Sequence, residues 1–175
     1  MYGFANGDPV NLADPFGLCA KDVQKEDKYK KCVEVSLEEG KAIGRAALAR
    51  MKSHQDEGVE YARVRPLGAN QDDCNNFCTQ SVRAAGLEAP PTATWQYATS
   101  MYYARIHPRR RREGDIMWQP GHVGVFSGKH DESGRPLGYQ MGTTGASLQP
   151  WGPGGVFEGG AQLIYYRLLK PIKTP

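Results

Sequence analysis

Between Ser36 and Gln55 the apolar residues Ile43, Ala47, Leu48 and Met51 recur three and four apart, the stripe of an amphipathic helix. Ser36 is a good N-cap, and Glu38 and Glu39 fall in the first turn, where the helix dipole favours carboxylates. The pattern predicts a helix over 35–55. A second helix is predicted over about 74–86, with Phe77, Cys78, Val82 and Ala85 on its apolar side and Gly86 ending it ahead of Pro90-Pro91. The charged stretch 20–34 also reads as helical, 56–73 as loop with one short strand, and Thr92 or Thr94 as the start of a further helix through about Tyr103. After residue 113 the character changes. "GDIMWQPGHVGVFSGK" (114–129) reads as two strands joined at Pro120-Gly121, and 136–145 and 161–169 supply two more. The Gly/Pro-rich segment 143–160 reads as loop. Helices first and strands later predict an α+β domain, an antiparallel sheet with helices packed on one side.

A chain of 175 residues is long enough for one domain with its own core. Its 39% hydrophobic and 23% charged content is that of a soluble globular protein. No apolar run approaches the roughly 20 residues that cross a bilayer. The N-terminus lacks a basic region followed by an apolar core, so the chain is not expected to export itself by the usual route. A net charge of +3 permits an anionic partner without requiring one. Four cysteines are too few for a disulfide scaffold at this length; Cys19 and Cys32 read as free thiols, a bridge in an oxidising compartment being the alternative.

The chemistry starts at "QDDCNNFCTQSVRAAGL" (71–87). On a helix Cys74 and Cys78 share a face one turn apart. Cys78 continues the apolar side and reads as a packing residue. Cys74 opens the helix, preceded by Asp72 and Asp73, either of which can cap. Its first-turn N–H groups and the dipole favour a thiolate there. A bridge between the two would distort the helix. A zinc site lacks a fourth ligand, even with His122 as the third. Two plain core cysteines remain the alternative to a nucleophile. Of the four histidines, His54 reads as a solvated or C-capping residue, His107 as part of a surface loop, and His130 as part of a polar turn. His122 begins the apolar run "HVGVF", with His122, Gly124 and Phe126 on one strand face and Val123 and Val125 on the other.

Together the two stretches resemble the NlpC/P60 family. Asp73, Cys74, Phe77, Ala85, Gly86 and Leu87 match its nucleophile motif. Gly114, Asp115, Ile116, His122, Val123, Gly124, Val125 and Gly128 match its histidine motif, in the right order. The resemblance spans about 60–145. Asn75-Asn76 replaces the usual Ser-Gly, and the Trp-Gly-Gly lead-in is missing. It implies a papain-like fold, no metal or other cofactor, and hydrolysis of amide bonds, often in peptidoglycan stem peptides. Cys74 would be the nucleophile and His122 the acid–base. Gln140, on the next strand, would orient the imidazole. Tyr61 and the Cys74 N–H would hold the oxyanion. Trp118 and Trp151 are candidates for lining a substrate groove, packing being the alternative for each.

The leader "MYGFANGDPVNLADPFGL" is turn-rich and lacks periodicity. Tyr2, Phe4, Asn6, Pro9, Val10, Asn11, Asp14, Pro15, Gly17 and Leu18 resemble the end of the core of Rhs-repeat proteins, which cut themselves just after this motif. Asp8 and Asp14 resemble the acidic residues tied to that cleavage. The resemblance implies that 1–18 is the end of an Rhs shell and 19–175 a released toxin domain. It also implies a cognate immunity protein, and a secreted effector delivered into a rival cell and acting in its periplasm, as in type VI secretion and interbacterial competition. A papain-like enzyme acting on a cytosolic protein, as deamidase, protease or acyltransferase, is the alternative. So is a nucleic-acid toxin using Arg109–Arg112, a run that otherwise reads as a solvated loop.

Overall fold

The computed structural model describes residues 32–63, 67–89, 93–98, 100, 102–152 and 162–171. The leader and its Rhs-like motif, together with residues 20–31, lie outside the described residues, so the boundary at 18/19 does too.

Helix α1 (Leu37–Glu57) forms where the stripe places it. Ser36 and Glu39 close a reciprocal capping box, and Gly58 ends the helix in the left-handed region (φ 64°). Helix α2 (Cys74–Ala84) starts at Asp73, whose side chain accepts the Asn76 N–H at 2.6 Å. Ile43, Ala47 and Met51 of α1 meet Phe77, Cys78 and Val82 of α2 in one core cluster.

The sheet is antiparallel and built from β1 (Cys32–Glu34), β4 (Tyr103–Ile106), β5 (Ile116–Gln119), β6 (His122–His130), β7 (Pro136–Gly142), β8 (Gly145–Pro150) and β9 (Ile164–Pro171). Strands β5 to β8 run as a meander, and β9 returns to pair with β5, β4 and β1. A separate parallel pair of two-residue strands, β2 (Glu60–Tyr61) and β3 (Gln71–Asp72), leads into α2. The helices pack on the face carrying Val123, Val125, Tyr139, Met141 and Tyr166. The other face holds a second cluster of Met117, Phe126, Trp151, Tyr165 and Leu169. Fully burying a Val or Phe of this kind stabilises by about 1.5–3 kcal/mol. The molecule is thus α+β.

Several expectations give way to strand pairing. Cys32–Glu34 ends in a strand, because β9 offers those backbone groups partners. The helix expected through Tyr103 is a single short turn at Thr94–Gln96, and Tyr103–Ile106 pairs with β9, burying Tyr103, Ala104 and Ile106. The first part of the segment read as loop is β8, turned back at Thr143-Thr144 with Gly145 at φ 92°. Cys32 is disulfide-bonded, against the free thiol expected, its partner lying outside the described residues; Cys74 and Cys78 are free.

The arginine run is in part structural. Arg109 and Arg110 are exposed. Arg111 lies over the Phe126 and Tyr165 rings and bonds His130 at 2.6 Å, and Arg112 Nη2 donates to the Val35 carbonyl. Asp115 receives Arg167 through two hydrogen bonds, at 2.8 and 2.9 Å, and Arg167 also reaches Glu34 at 2.7 Å. The Gly-Asp pair of the histidine motif therefore has a structural role. At Gly114 (φ 87°) an added Cβ would collide with the backbone of Gly40 on α1. Among the described residues no helix is long and apolar enough to cross a membrane.

Candidate active site

Cys74 stands at the first turn of α2 because Asp73 caps that helix and β3 delivers the chain to it. The sulfur is 3% exposed at the residue level and faces a cleft of about 850 Å³. His122, Gln140, Tyr61, Arg63, Asn75 and Thr94 line the same cleft. His122 is the first residue of β6. By strand alternation it shares a face with Gly124 and Phe126, the face away from the helices. As the terminal residue it sits at the rim of the sheet, where the head of α2 meets the Pro120-Gly121 turn around one opening.

The imidazole is fixed from two directions. Nε2 hydrogen-bonds Gln140 Oε1, and the ring stacks on Trp151 with centroids 5.3 Å apart and planes 21° from parallel. An amide oxygen only accepts, so Nε2 carries the proton and Nδ1 the lone pair. Gln140 Nε2 in turn reaches Ser147 Oγ on β8 at 3.5 Å. Trp151 occupies a notch between Gly124 and Gly138, where a Cβ on either would lie 2.7 Å from the indole. That is the physical reason for glycine after "HV".

Around the sulfur are the Thr94 hydroxyl at 3.9 Å and the backbone N–H groups of Val123 and Asn75. These favour the thiolate, but burial outweighs them and pushes the Cys74 thiol above the ordinary range, with Asp73 adding repulsion. Burial also lowers His122, and the Gln140 bond offsets part of that. Both groups are therefore neutral near pH 7, a thiol and an imidazole lining one cleft. The thiolate expected from the helix terminus is overridden by desolvation. Cys78 is fully buried, and burial raises its thiol well above 9.

Behind the cleft Asp72 is a buried hub. It accepts from Arg50 Nη2 at 2.8 Å, His54 Nε2 at 2.7 Å, Asn76 Nδ2 at 2.7 Å and the Asp73 N–H at 2.9 Å. Burial acts to raise its pKa, but the bonds from His54, Arg50 and Asn76 prevail and hold it below the usual carboxylate value. His54 is thus an inward-facing partner of Asp72 and not a solvated residue.

Compared with known protein families and with curated proteins, the chain matches none.

The structure brings Cys74, His122, Gln140 and Tyr61 to one cleft, where burial and the nearby Cys74 raise the Tyr61 pKa. It does not bring Trp118 or Trp151 to the cleft as substrate contacts. Trp151 is 0% exposed and backs His122. Trp118 donates from Nε1 to the Thr94 carbonyl at 2.5 Å and meets Tyr166 edge-on. Thr94 and the Asp72–His54 pair escaped the sequence reading. Thr94 in a short turn and Asp72 at a strand end leave no periodic trace; the available signals were two adjacent acids ahead of a helix and His54 falling three residues after Met51 on the buried stripe of α1. Among the described residues no group of His, Cys, Asp and Glu could hold a metal ion.

Proposed function

We propose that this domain is a cysteine amidase or peptidase of papain-like, NlpC/P60 type. In this reading it is the toxin part of an Rhs-type protein and cleaves peptidoglycan stem peptides in the periplasm of a competing bacterium, countered in the producer by an immunity protein. The observation that carries the reading is one cleft lined by a cysteine at the first position of a helix and a strand-end histidine whose Nε2 is held by Gln140.

The chemistry follows from the tautomer. Nδ1 of His122 takes the proton of Cys74 as Sγ attacks the amide carbonyl carbon. The oxyanion is held by the Cys74 N–H and the Tyr61 hydroxyl. The imidazolium then protonates the departing amine, leaving a thioester, and a water activated by the same nitrogen releases the acid and restores the thiol. Gln140 and the Trp151 stack keep the ring oriented through both transfers. The bonded Cys32 agrees with an oxidising compartment. The reading that Arg109–Arg112 grips nucleic acid is disfavoured, since the half-buried Arg111 and Arg112 are engaged by contacts within the protein.

Purified protein incubated with muropeptides is expected to yield new amine-bearing fragments, detected by mass spectrometry, and Cys74→Ala to yield none. Absence of cleavage by the wild type, or equal cleavage by the variant, rejects the reading.

A further inference from the structure

Thr94 heads a short turn on the cleft wall, and that turn is tied down twice. Its carbonyl accepts from Trp118 Nε1 at 2.5 Å, and the Ala93 N–H donates to Gln96 Oε1 at 2.7 Å. The Thr94 hydroxyl donates to Asn75 Oδ1 at 3.0 Å and lies 3.9 Å from Cys74 Sγ. A hydroxyl has one hydrogen. While it points to Asn75, the contact with the sulfur must be the thiol donating to Thr94 Oγ1. A thiolate can only accept, so Asn75 and the ionised sulfur compete for the same hydrogen. Asn75 can resolve that competition. Turning its amide over presents Nδ2 where Oδ1 was, with the heavy atoms in place. Nδ2 then donates to Thr94 Oγ1 and releases the hydroxyl hydrogen to the sulfur.

We propose that Thr94 and Asn75 form a two-position hydrogen-bond relay that follows the charge on Cys74. Thr94 donates to Asn75 beside the thiol, and to the sulfur beside the thiolate, with Asn75 Nδ2 behind it. The inference rests on Cys74 being the nucleophile and deepens that reading. Its proton balance is simple: the sulfur's proton leaves to His122, and Thr94 keeps its own and only redirects it. The backbone donors Val123 and Asn75 are fixed in direction, whereas the Thr94 donor answers to ionisation, in a site where burial opposes the charge.

The test is alkylation of Cys74 by iodoacetamide as a function of pH, on the whole chain without substrate, with Cys74→Ala as the blank. Thr94→Val, nearly isosteric, is expected to slow alkylation at pH 8 roughly tenfold, the equivalent of a one-unit shift. Thr94→Ser is expected to keep the wild-type curve. Asn75→Asp, which can only accept, is expected to slow alkylation clearly more with Thr94 present than in Thr94→Val. A Thr94→Val curve overlying the wild type overturns the proposal. So does a Thr94→Ser curve following that of Val, or an Asn75→Asp effect equal in both backgrounds, which is a plain charge effect. Cys78, fully buried, reacts only in molecules that have opened, and so reports any variant that fails to fold. No amide substrate is used. Failure to cleave muropeptides therefore leaves this result standing, and loss of the relay leaves the amidase reading standing.

Discussion

At Cys74 two local effects oppose each other. A helix N-terminus stabilises a nearby negative charge by about 0.3–1 kcal/mol, and by about 2 kcal/mol in buried geometries. Taking a thiolate out of water costs more here, since the Cys74 pKa moves up in spite of three donors around the sulfur. The site therefore rests as thiol and imidazole, and in the proposed reaction the histidine would have to act as a base. Iodoacetamide reactivity of Cys74 is expected to climb with pH to a midpoint above the ordinary 9.0. A preformed ion pair would instead react evenly from mildly acid pH upward, and such a plateau refutes the neutral pair. His122 is lowered from 6.5, so its base form persists below that value. Amide cleavage should hold across pH 6.5 and fail only in more acid solution, and a pH profile of kcat checks this. The linkage has a matching sign. Below 6.5 the unfolded chain takes up a proton at His122 that the folded one resists, so stability falls as pH drops through that range. His122→Ala should lower kcat/KM by about 10²–10⁴-fold with the Cys74 alkylation curve little changed.

Between elements, the cleft is held by two constructions, and each can be broken singly. The Asp72 hub joins α1 through Arg50 and His54 to the first turn of α2 through Asn76. Asp72→Ala leaves Arg50 and His54 facing a buried gap and should destabilise by about 3–5 kcal/mol, read as a lower urea midpoint. Asp72 contributes its stability above the unfolded carboxylate value, and this is lost as pH falls through its depressed folded value. The acid-unfolding difference between wild type and variant should therefore close below about pH 4. The second construction is the Trp151 notch. Gly124→Ala puts a Cβ 2.7 Å from the indole and 2.8 Å from the Tyr139 carbonyl. It should cost about 1–3 kcal/mol and lower kcat through the lost His122 stack, with KM nearly unchanged. Much of this scale was legible in the sequence. The α1 stripe, the α2 start and the β5–β6 hairpin each carry a local cause: a cap, a period, a Pro-Gly turn. Strands β1, β4 and β8 were not legible, because their partners lie far along the chain or across a turn without a strong signature, and pairing with β9 or β7 overrides weak local preference. Cys74, His122 and Gln140 could be named from motif and register. Thr94 could not, because its value depends on a turn held by Trp118 from another strand.

Over the whole molecule, the bonded cysteine bears on the compartment in which the proposed function would operate. A structural disulfide persists in oxidising surroundings and is rare in a reducing cytosol. Reducing agent should lower the melting temperature of the wild type but not of Cys32→Ser, because closing a loop typically stabilises by about 2–4 kcal/mol through the unfolded chain. The same logic decides where the proposed activity should do harm. If its substrate is a stem peptide, the chain must be on the wall side of the inner membrane, and there its bridge also survives. Expression carrying a periplasmic signal should arrest growth and round or lyse cells. Expression of the same chain without the signal should be tolerated, and Cys74→Ala should be harmless in both places. Toxicity confined to the cytoplasmic arm, and lost in Cys74→Ala, would keep the nucleophile and reassign the substrate to a cytosolic protein. Toxicity that survives Cys74→Ala would remove the cleft from the account and return attention to exposed Arg109 and Arg110, whose binding to a polyanion would then weaken steeply with salt.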